Sequence, residues 1–386
     1  MPYVTLPILP VFRQITLLDI LAGLDNIRDQ PVVFNETNTR TKYVRRLNRN
    51  FTQQYDFDRM ASLLHKFNQR HKALFEAERQ SLYSTFLIPK KSGGVRRIDA
   101  PNPELMTALR ELKNLFETEF SPCKNQSSLY HTTAFAYIKG RCHKDSLVRH
   151  QANNSYWYLK LDFSNFFGST TMEYTMGVLK KIFPFSEMFK RISWHAELEK
   201  AVSLCFLNGG LPQGTPISPM LTNLIMLPVD YEIGRGLRKM EQEKDNKFVY
   251  TRYADDITIS GRKSFRFQEV QDMMQTVLDH FNAPYKFKKE KTHYGSRNGR
   301  NWNLGLMINK DNEITIGWKR KDRLRATIDN YMTNHDKWTV HDVYTLIGQI
   351  SYYTSIEPEY MDSAMRYFNE KYHANIMARM KQDIAA

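Results

Sequence analysis

The chain has 386 residues, 41% hydrophobic and 13% aromatic, enough for two or three packed subdomains and incompatible with a disordered tail. Lys and Arg number 55 against 41 Asp and Glu, and the net charge of +14 points to a polyanion, nucleic acid or anionic membrane, without choosing between them. Cys123, Cys142 and Cys205 are too few and too irregular for a disulfide framework or a CxxC zinc site, and no apolar run reaches the roughly 18 residues a membrane span needs.

The N-terminus carries Pro2, Pro7 and Pro10, lacks a basic leader region and meets Arg13 and Asp19 early, so no secretory signal is read and a reducing, cytoplasmic setting is expected. Residues 1–80 read as a charge-mixed helical extension, with a basic stretch at 38–51 and helical periodicity over 56–80. Prolines, glycines and basic residues in FLIPKKSGGVRRIDAPNP (86–103) mark a β-hairpin, and a helix follows over 104–120.

In SYWYLKLDF, alternation puts Trp157, Leu159 and Leu161 on one strand face and Tyr158, Lys160 and Asp162 on the other, so Asp162 is expected to end a strand on its open face. The loop NGGLPQGTP leads into a helix that Ser218 can cap, with Pro219 in its first turn and Pro228 ending or kinking it. KFVYTRYADDITISG reads as a second hairpin whose turn presents Asp255 and Asp256. Val270, Met273, Met274, Val277 and Phe281 give the next helix an apolar stripe. Strands are expected in YKFKKEKTHYG, at Leu304–Leu306 and in the hairpin LGLMINKDNEITIG. The basic stretch from Trp318 then opens a helical C-terminal region with a stripe of Val343, Leu346, Ile347, Ile350 and Tyr353.

An Asp-Asp pair alone is ordinarily a solvated turn. Here it crowns an apolar, Tyr-rich hairpin, and beside Asp162 it would make a costly carboxylate cluster unless cations were bound. Magnesium takes a few carboxylates plus substrate phosphates, and two such ions about 3.5–4 Å apart are suited to in-line displacement at phosphorus. His131, Cys142, His143 and His150 lack the spacing of a zinc site.

These segments resemble the reverse transcriptases. TRYADDITISG is similar to their YxDD hairpin, LDFSNFF to their first aspartate motif and LPQGTPISPMLTN to their LPQG-x-x-x-SP motif, in the family's order. FLIPKKSGGVRRIDAP resembles the fingers hairpin, and KTHYG with LGLMIN the end of the palm; the resemblance covers roughly residues 80–330. It implies an α+β right-hand polymerase fold: fingers and an antiparallel palm sheet with helices over 81–315, and a helical thumb over 316–386.

By resemblance, Asp162, Asp255 and Asp256 are catalytic and, with the Phe163 carbonyl, ligate two Mg2+ ions, for which Mn2+ can substitute. Arg96 or Arg97 would hold the incoming triphosphate, the alternative being a solvated hairpin face. Gln213 and Gly214 would line the nucleotide pocket. Phe167 would be the bulky gate that excludes a 2′-hydroxyl, or else core packing beside Phe166. Lys291 would protonate or support the leaving pyrophosphate, unless it is a surface lysine. Tyr253, Gly305, Lys319, Arg320, Lys321 and Arg323 would contact template and primer, Arg325 lying in the same basic segment.

The resemblance further implies an RNA-directed DNA polymerase acting on dNTPs, an RNA template and its cDNA product, with no membrane partner. The short chain looks most like bacterial retron-type enzymes. Ser146–His150 stands where those enzymes usually carry NAxxH, however, and Leu304–Leu306 where they carry VTG. Two subtypes therefore stay open, a retron enzyme copying a structured noncoding RNA and another defence-associated enzyme, either with an accessory effector. An RNA-dependent RNA polymerase and a silent RNA-binding protein on the same fold are the rival readings.

Overall fold

The computed structural model describes residues 55–90, 93–121, 129–299 and 303–385. Residues 1–54 of the expected extension, including the basic stretch 38–51, lie outside these, as does Cys123. The chain divides into two compact units, one ending at Tyr294 and the other beginning at Gly295.

The first unit opens with α1 (Phe57–Arg70), where Asp56 accepts from the Arg59 amide at 2.8 Å and Met60, Ala61, Leu64 and Phe67 fall on one buried face. After α2 (Lys72–Glu76), strands β1 (Tyr83–Pro89) and β2 (Val95–Pro101) form an antiparallel hairpin that pairs Tyr83 with Pro101 and Pro89 with Val95. Gly93 and Gly94, at φ 87° and 76°, take the turn positions that side chains resist. Helix α3 (Pro103–Glu119) is capped by Asn102 and buries Leu105, Ala108, Leu109, Leu112 and Phe116. Helix α4 (His143–Ala152) precedes β3 (Trp157–Asp162). Four helices follow: α5 (Phe166–Ser169), α6 (Met172–Leu179), α7 (Phe185–Met188) and α8 (Ile192–Ser203).

Helix α9 (Ser218–Ile225) corrects one expectation. Ser218 is its first helical residue and Ile217 its N-cap, without a side-chain capping bond; Thr215 Oγ1, two residues outside the cap, accepts from the Ser218 amide at 3.2 Å. Pro219 does sit in the first turn. As expected, the helix stops just before Pro228: it ends at Ile225, the chain bends at Met226, and Pro228 lies in the first turn of α10 (Leu227–Lys244), where its missing N–H costs nothing.

Strands β4 (Phe248–Tyr253) and β5 (Asp256–Gly261) form the expected hairpin, and α11 (Phe267–His280) buries Val270, Met274 and Leu278 in the same core. With β6 (His293–Ser296) they complete a four-stranded sheet ordered β4–β5–β3–β6. Between α11 and β6 the expected strand is shorter: Phe287 makes an isolated antiparallel bridge to Phe163, and a 3-10 turn spans Lys289–Lys291.

The second unit holds the short hairpin of β7 (Met307–Ile308) and β8 (Ile314–Thr315), then α12 (Trp318–Thr333), α13 (Val340–Ile356), α14 (Pro358–Lys371) and α15 (Ile376–Ala385). Its own core gathers Leu324, Ile328, Tyr331, Val343, Leu346, Ile350 and Phe368. Leu304 and Gly305 are not strand residues. Their φ values of 50° and 88° make a two-residue turn between the bridged pair Asn303 and Leu306. No helix among the described residues is long and apolar enough to cross a membrane.

Leu159 is fully buried in β3, whereas Ile192 is 92% exposed. Leu159→Ala should therefore cost about 2–5 kcal/mol in urea unfolding and Ile192→Ala less than about 0.5 kcal/mol. Equal losses at the two positions would contradict this assignment of the core.

Candidate active site

Strand register brings the three aspartates to one end of the sheet. Antiparallel pairing of β3 with β5 sets Asp162 directly across from Asp256, and β4 with β5 sets Tyr253 across from Asp256. Ala254 and Asp255 form the turn between β4 and β5, and the Phe163 amide donates to the Asp255 carbonyl at 3.2 Å. Ala254 sits at φ 57°, a left-handed conformation that costs a residue with a Cβ about 1–2 kcal/mol.

Asp162 is only 4% exposed, which corrects the expectation of an open strand face. The segment after α11 covers it. The Lys288 amide donates to the Asp162 carbonyl at 2.8 Å, Lys288 Nζ donates to Oδ1 at 2.6 Å, and Lys291 Nζ donates to Oδ2 at 2.7 Å. The hydrogen bond to Asp162 raises Lys291 above the usual lysine range, so it stays an ammonium. Sequence reading missed Lys288; its only signal was the run KFKKEK, in which several lysines are alternatives.

Burial, then the Asp162 charge, raises the Asp255 carboxyl. Burial, then Asp255 and Asp162, pushes Asp256 up to about 6. The donor set suits a hard divalent cation: carboxylates crowd together, partly dry, and a cation would relieve their repulsion. Two ammonium groups already neutralise Asp162, standing in for that charge, and among the described residues no three acidic, His or Cys side chains converge as a ready metal cluster. Phe163 anchors this end of the sheet with a buried ring stacked on Phe166 and Phe287 at centroid distances of 5.5 and 5.2 Å.

Neighbouring residues on a strand face opposite ways, and that separates the two arginines. Arg97 shares a face with Asp99 and donates to it at 2.9 Å, while Thr85 donates to the same oxygen at 2.7 Å. Arg96 turns the other way, and its charge acts on Tyr137 together with those of Asp255 and Asp256. Tyr137 was also missed from sequence; its ring lies 6.5 Å from that of Tyr253. The Gln213 carbonyl accepts from the Asp99 amide at 2.8 Å, joining the LPQG loop to the β1–β2 hairpin. Gly214, at φ 121°, would bring a Cβ within 2.9 Å of the Asp99 carbonyl, so close backbone approach is what this position requires.

Phe166 is 2% exposed, while Phe167 is half-buried against the same core. The Leu211 amide donates to the Phe167 carbonyl at 3.0 Å, and a Cβ on Gly210 would lie 2.2 Å from the Gly168 carbonyl. His150 is buried with both ring nitrogens against hydroxyls, those of Ser260 at 2.6 Å and Thr251 at 2.8 Å, and burial lowers it to about 3. In the second unit Arg320 donates to the Gly305 carbonyl, and Lys321 pairs with Glu357 and lies over the Tyr360 ring at 4.2 Å; Lys319 and Arg323 are exposed.

Residues 88–320 match the family described as reverse transcriptase, RNA-dependent DNA polymerase. The chain belongs to that family. It is thus an RNA-directed DNA polymerase with the expected right-hand fold. It resembles the retron Ec83 reverse transcriptase of Escherichia coli, 26% identical over 75% of this chain and 87% of that one. The retron Mx65 reverse transcriptase of Myxococcus xanthus is 27% identical over 75% of this chain and 65% of its own. Apo telomerase from Candida tropicalis gives a TM-score of 0.44 at 11% identity, covering 78% of this chain and 62% of that one.

A carboxyl raised in the folded state stabilises the fold while protonated. That contribution is present below the unfolded value of about 3.9 and lost as pH rises through the folded one. In metal-free reverse transcriptase, Asp256→Asn should therefore gain on wild type between pH 4 and 7, by roughly 1–3 kcal/mol at pH 7. Urea unfolding in EDTA measures it, and a pH-independent difference would count against the shift.

Proposed function

We propose that this reverse transcriptase copies a cognate structured RNA into DNA by two-metal nucleotidyl transfer, as a retron or related antiphage defence enzyme. The supporting observation is the register pair Asp162–Asp256 with Asp255 alongside, three partly dry carboxylates at one sheet end. Two Mg2+ ions, or Mn2+ in their place, held by Asp162, Asp255, Asp256 and the Phe163 carbonyl, would activate the attacking hydroxyl and stabilise the departing pyrophosphate.

The chain's own groups do the rest. Arg96, on the hairpin face whose charge is felt beside the aspartates, offers a planar guanidinium to the incoming triphosphate, while Arg97 is held by Asp99. Lys291 keeps its proton beside Asp162 and can deliver it, or its charge, to the pyrophosphate. Gln213 borders the nucleotide, its main chain fixed on β2. Phe167 lies under the sugar, its carbonyl tied by Leu211, so a 2′-hydroxyl meets a ring that the backbone does not let retreat. Tyr253, Gly305 and the exposed Lys319 and Arg323, with Arg320 and Lys321, serve primer and template, the cations neutralising backbone phosphates. A noncoding RNA template and an accessory effector belong to this reading, which the likeness to proteins named retron reverse transcriptases supports only as far as the enzyme class.

Primer extension on an RNA template with dNTPs and Mg2+ tests this reading. Wild type should extend, and Asp255→Asn with Asp256→Asn should lose about a thousand-fold or more, the loss of several kcal/mol of metal-ion stabilisation. Phe167→Ala should admit ribonucleotides about ten-fold better relative to dNTPs. A wild-type preference for ribonucleotides would make the protein an RNA polymerase, and an unaffected RNA-dependent phenotype in the double variant would leave it a binding protein. Sequencing the copurified nucleic acid identifies the template.

A further inference from the structure

Arg252 has the largest side chain among the fully buried residues of the described chain, and the carboxylate turn follows it by two residues. Its Nε donates to Asp230 Oδ1 at 2.9 Å and Nη2 to Asp230 Oδ2 at 2.7 Å, a two-pronged pair with no exposure on either side. The remaining arm is directed elsewhere. Nη1 donates to Asn223 Oδ1 at 3.0 Å and to the Ala254 carbonyl at 3.2 Å. Each partner is itself fixed: Tyr250 donates its hydroxyl to Asp230 at 2.6 Å, and Asn223 donates to the Ala136 carbonyl at 2.8 Å. The Arg252 main chain is clamped as well, its amide donating to the Thr133 carbonyl at 2.7 Å and its carbonyl accepting from Phe135 at 2.9 Å.

We propose that Arg252 is a positioning residue: its buried guanidinium, fixed by Asp230 and Asn223, holds the Ala254 carbonyl and so keeps the strained turn carrying Asp255 and Asp256 in its working conformation. Two independent features carry this. Ala254 occupies a left-handed conformation that neither glycine nor asparagine eases here, so something outside the residue must hold it. A buried ion pair is also a poor stabiliser compared with apolar side chains of similar volume, so stability alone does not account for Arg252 and Asp230. A planar, forked donor accounts for the arrangement, because one group must satisfy a carboxylate and reach a carbonyl at once. Lysine, with a single compact ammonium, cannot do both.

The inference rests on the proposed role of Asp255 and Asp256, and its test separates the two. Arg252→Lys keeps a cation for Asp230 and should lower the thermal midpoint while leaving the protein folded at the assay temperature. Hydrogen–deuterium exchange over the peptide containing 250–258, read without metal or substrate, should quicken at the turn while the peptides of α3 and α11 stay unchanged. Mn2+ binding, followed by the loss of the free-ion EPR signal, should weaken about ten-fold, and kcat for primer extension should fall about ten- to a hundred-fold with the KM for dNTP little altered. Excess Mn2+ should recover part of that rate, which a shrinking folded fraction would not allow.

If Arg252→Lys does not fold, Arg252→Met with Asp230→Leu carries the same measurements on an apolar pair. Unchanged turn exchange with unchanged metal dependence, in whichever variant folds, overturns the proposal. Failure of both to fold also overturns it, by assigning the arginine to the core. Should wild type bind no Mn2+, the metal reading fails, while exchange at the turn still decides the positioning role.

Discussion

Everything the site can do depends on the pairing of β3 with β5. A strand repeats its facing every two residues, so slipping this register by one would turn Asp162 away from Asp256 and put buried Leu159 and Leu161 on the wrong side. The apolar partners prevent that. Leu161 faces Ile257 and Leu159 faces Ile259 across the ladder, all essentially without solvent exposure, so the core that stabilises the sheet also aligns the carboxylates. Core packing and chemistry here share a single constraint.

That alignment creates an electrostatic problem, and the next segment of chain answers it. Bringing partly dry carboxylates together raises Asp255 and Asp256, while Asp162, the most buried, receives two ammonium groups from Lys288 and Lys291. Lys288 holds Asp162 twice, by its main-chain amide and by its side chain. The link between α11 and β6 is therefore part of the site's charge balance as well as a connection to the edge strand.

Much of this was legible in the sequence because the signals are local. The ADD turn between β-prone runs, the helical stripe of α11 and the basic opening of α12 each need only a few neighbouring residues to be read. What was not legible depends on partners far along the chain. The burial of Asp162 comes from residues more than a hundred positions away, and Lys288 looks like any other lysine in a lysine-rich run. That Arg97 is the arginine held by Asp99, leaving Arg96 on the other face of the strand, follows from a pairing two residues along that charge alone does not reveal. Ser218 is a good capping residue by type, but the helix starts at it and leaves Ile217 at the cap, a shift of one residue that only backbone geometry decides. Leu304 and Gly305 read as strand through the resemblance of Leu304–Leu306 to a family segment, but two positive φ angles reverse the chain there.

The glycine that packs on the main chain of Gly168, next to Phe167, has a consequence for remodelling. Gly210 lies so close to the Gly168 carbonyl that even one methyl group would have to displace backbone, and Leu211 then ties the Phe167 carbonyl to the same strap. The ring at 167 can be exchanged for another side chain, but the floor on which it stands cannot be raised. If Phe167 gates the sugar as proposed, laboratory evolution toward unnatural sugars has a side chain to vary there and a main-chain spacing it must inherit.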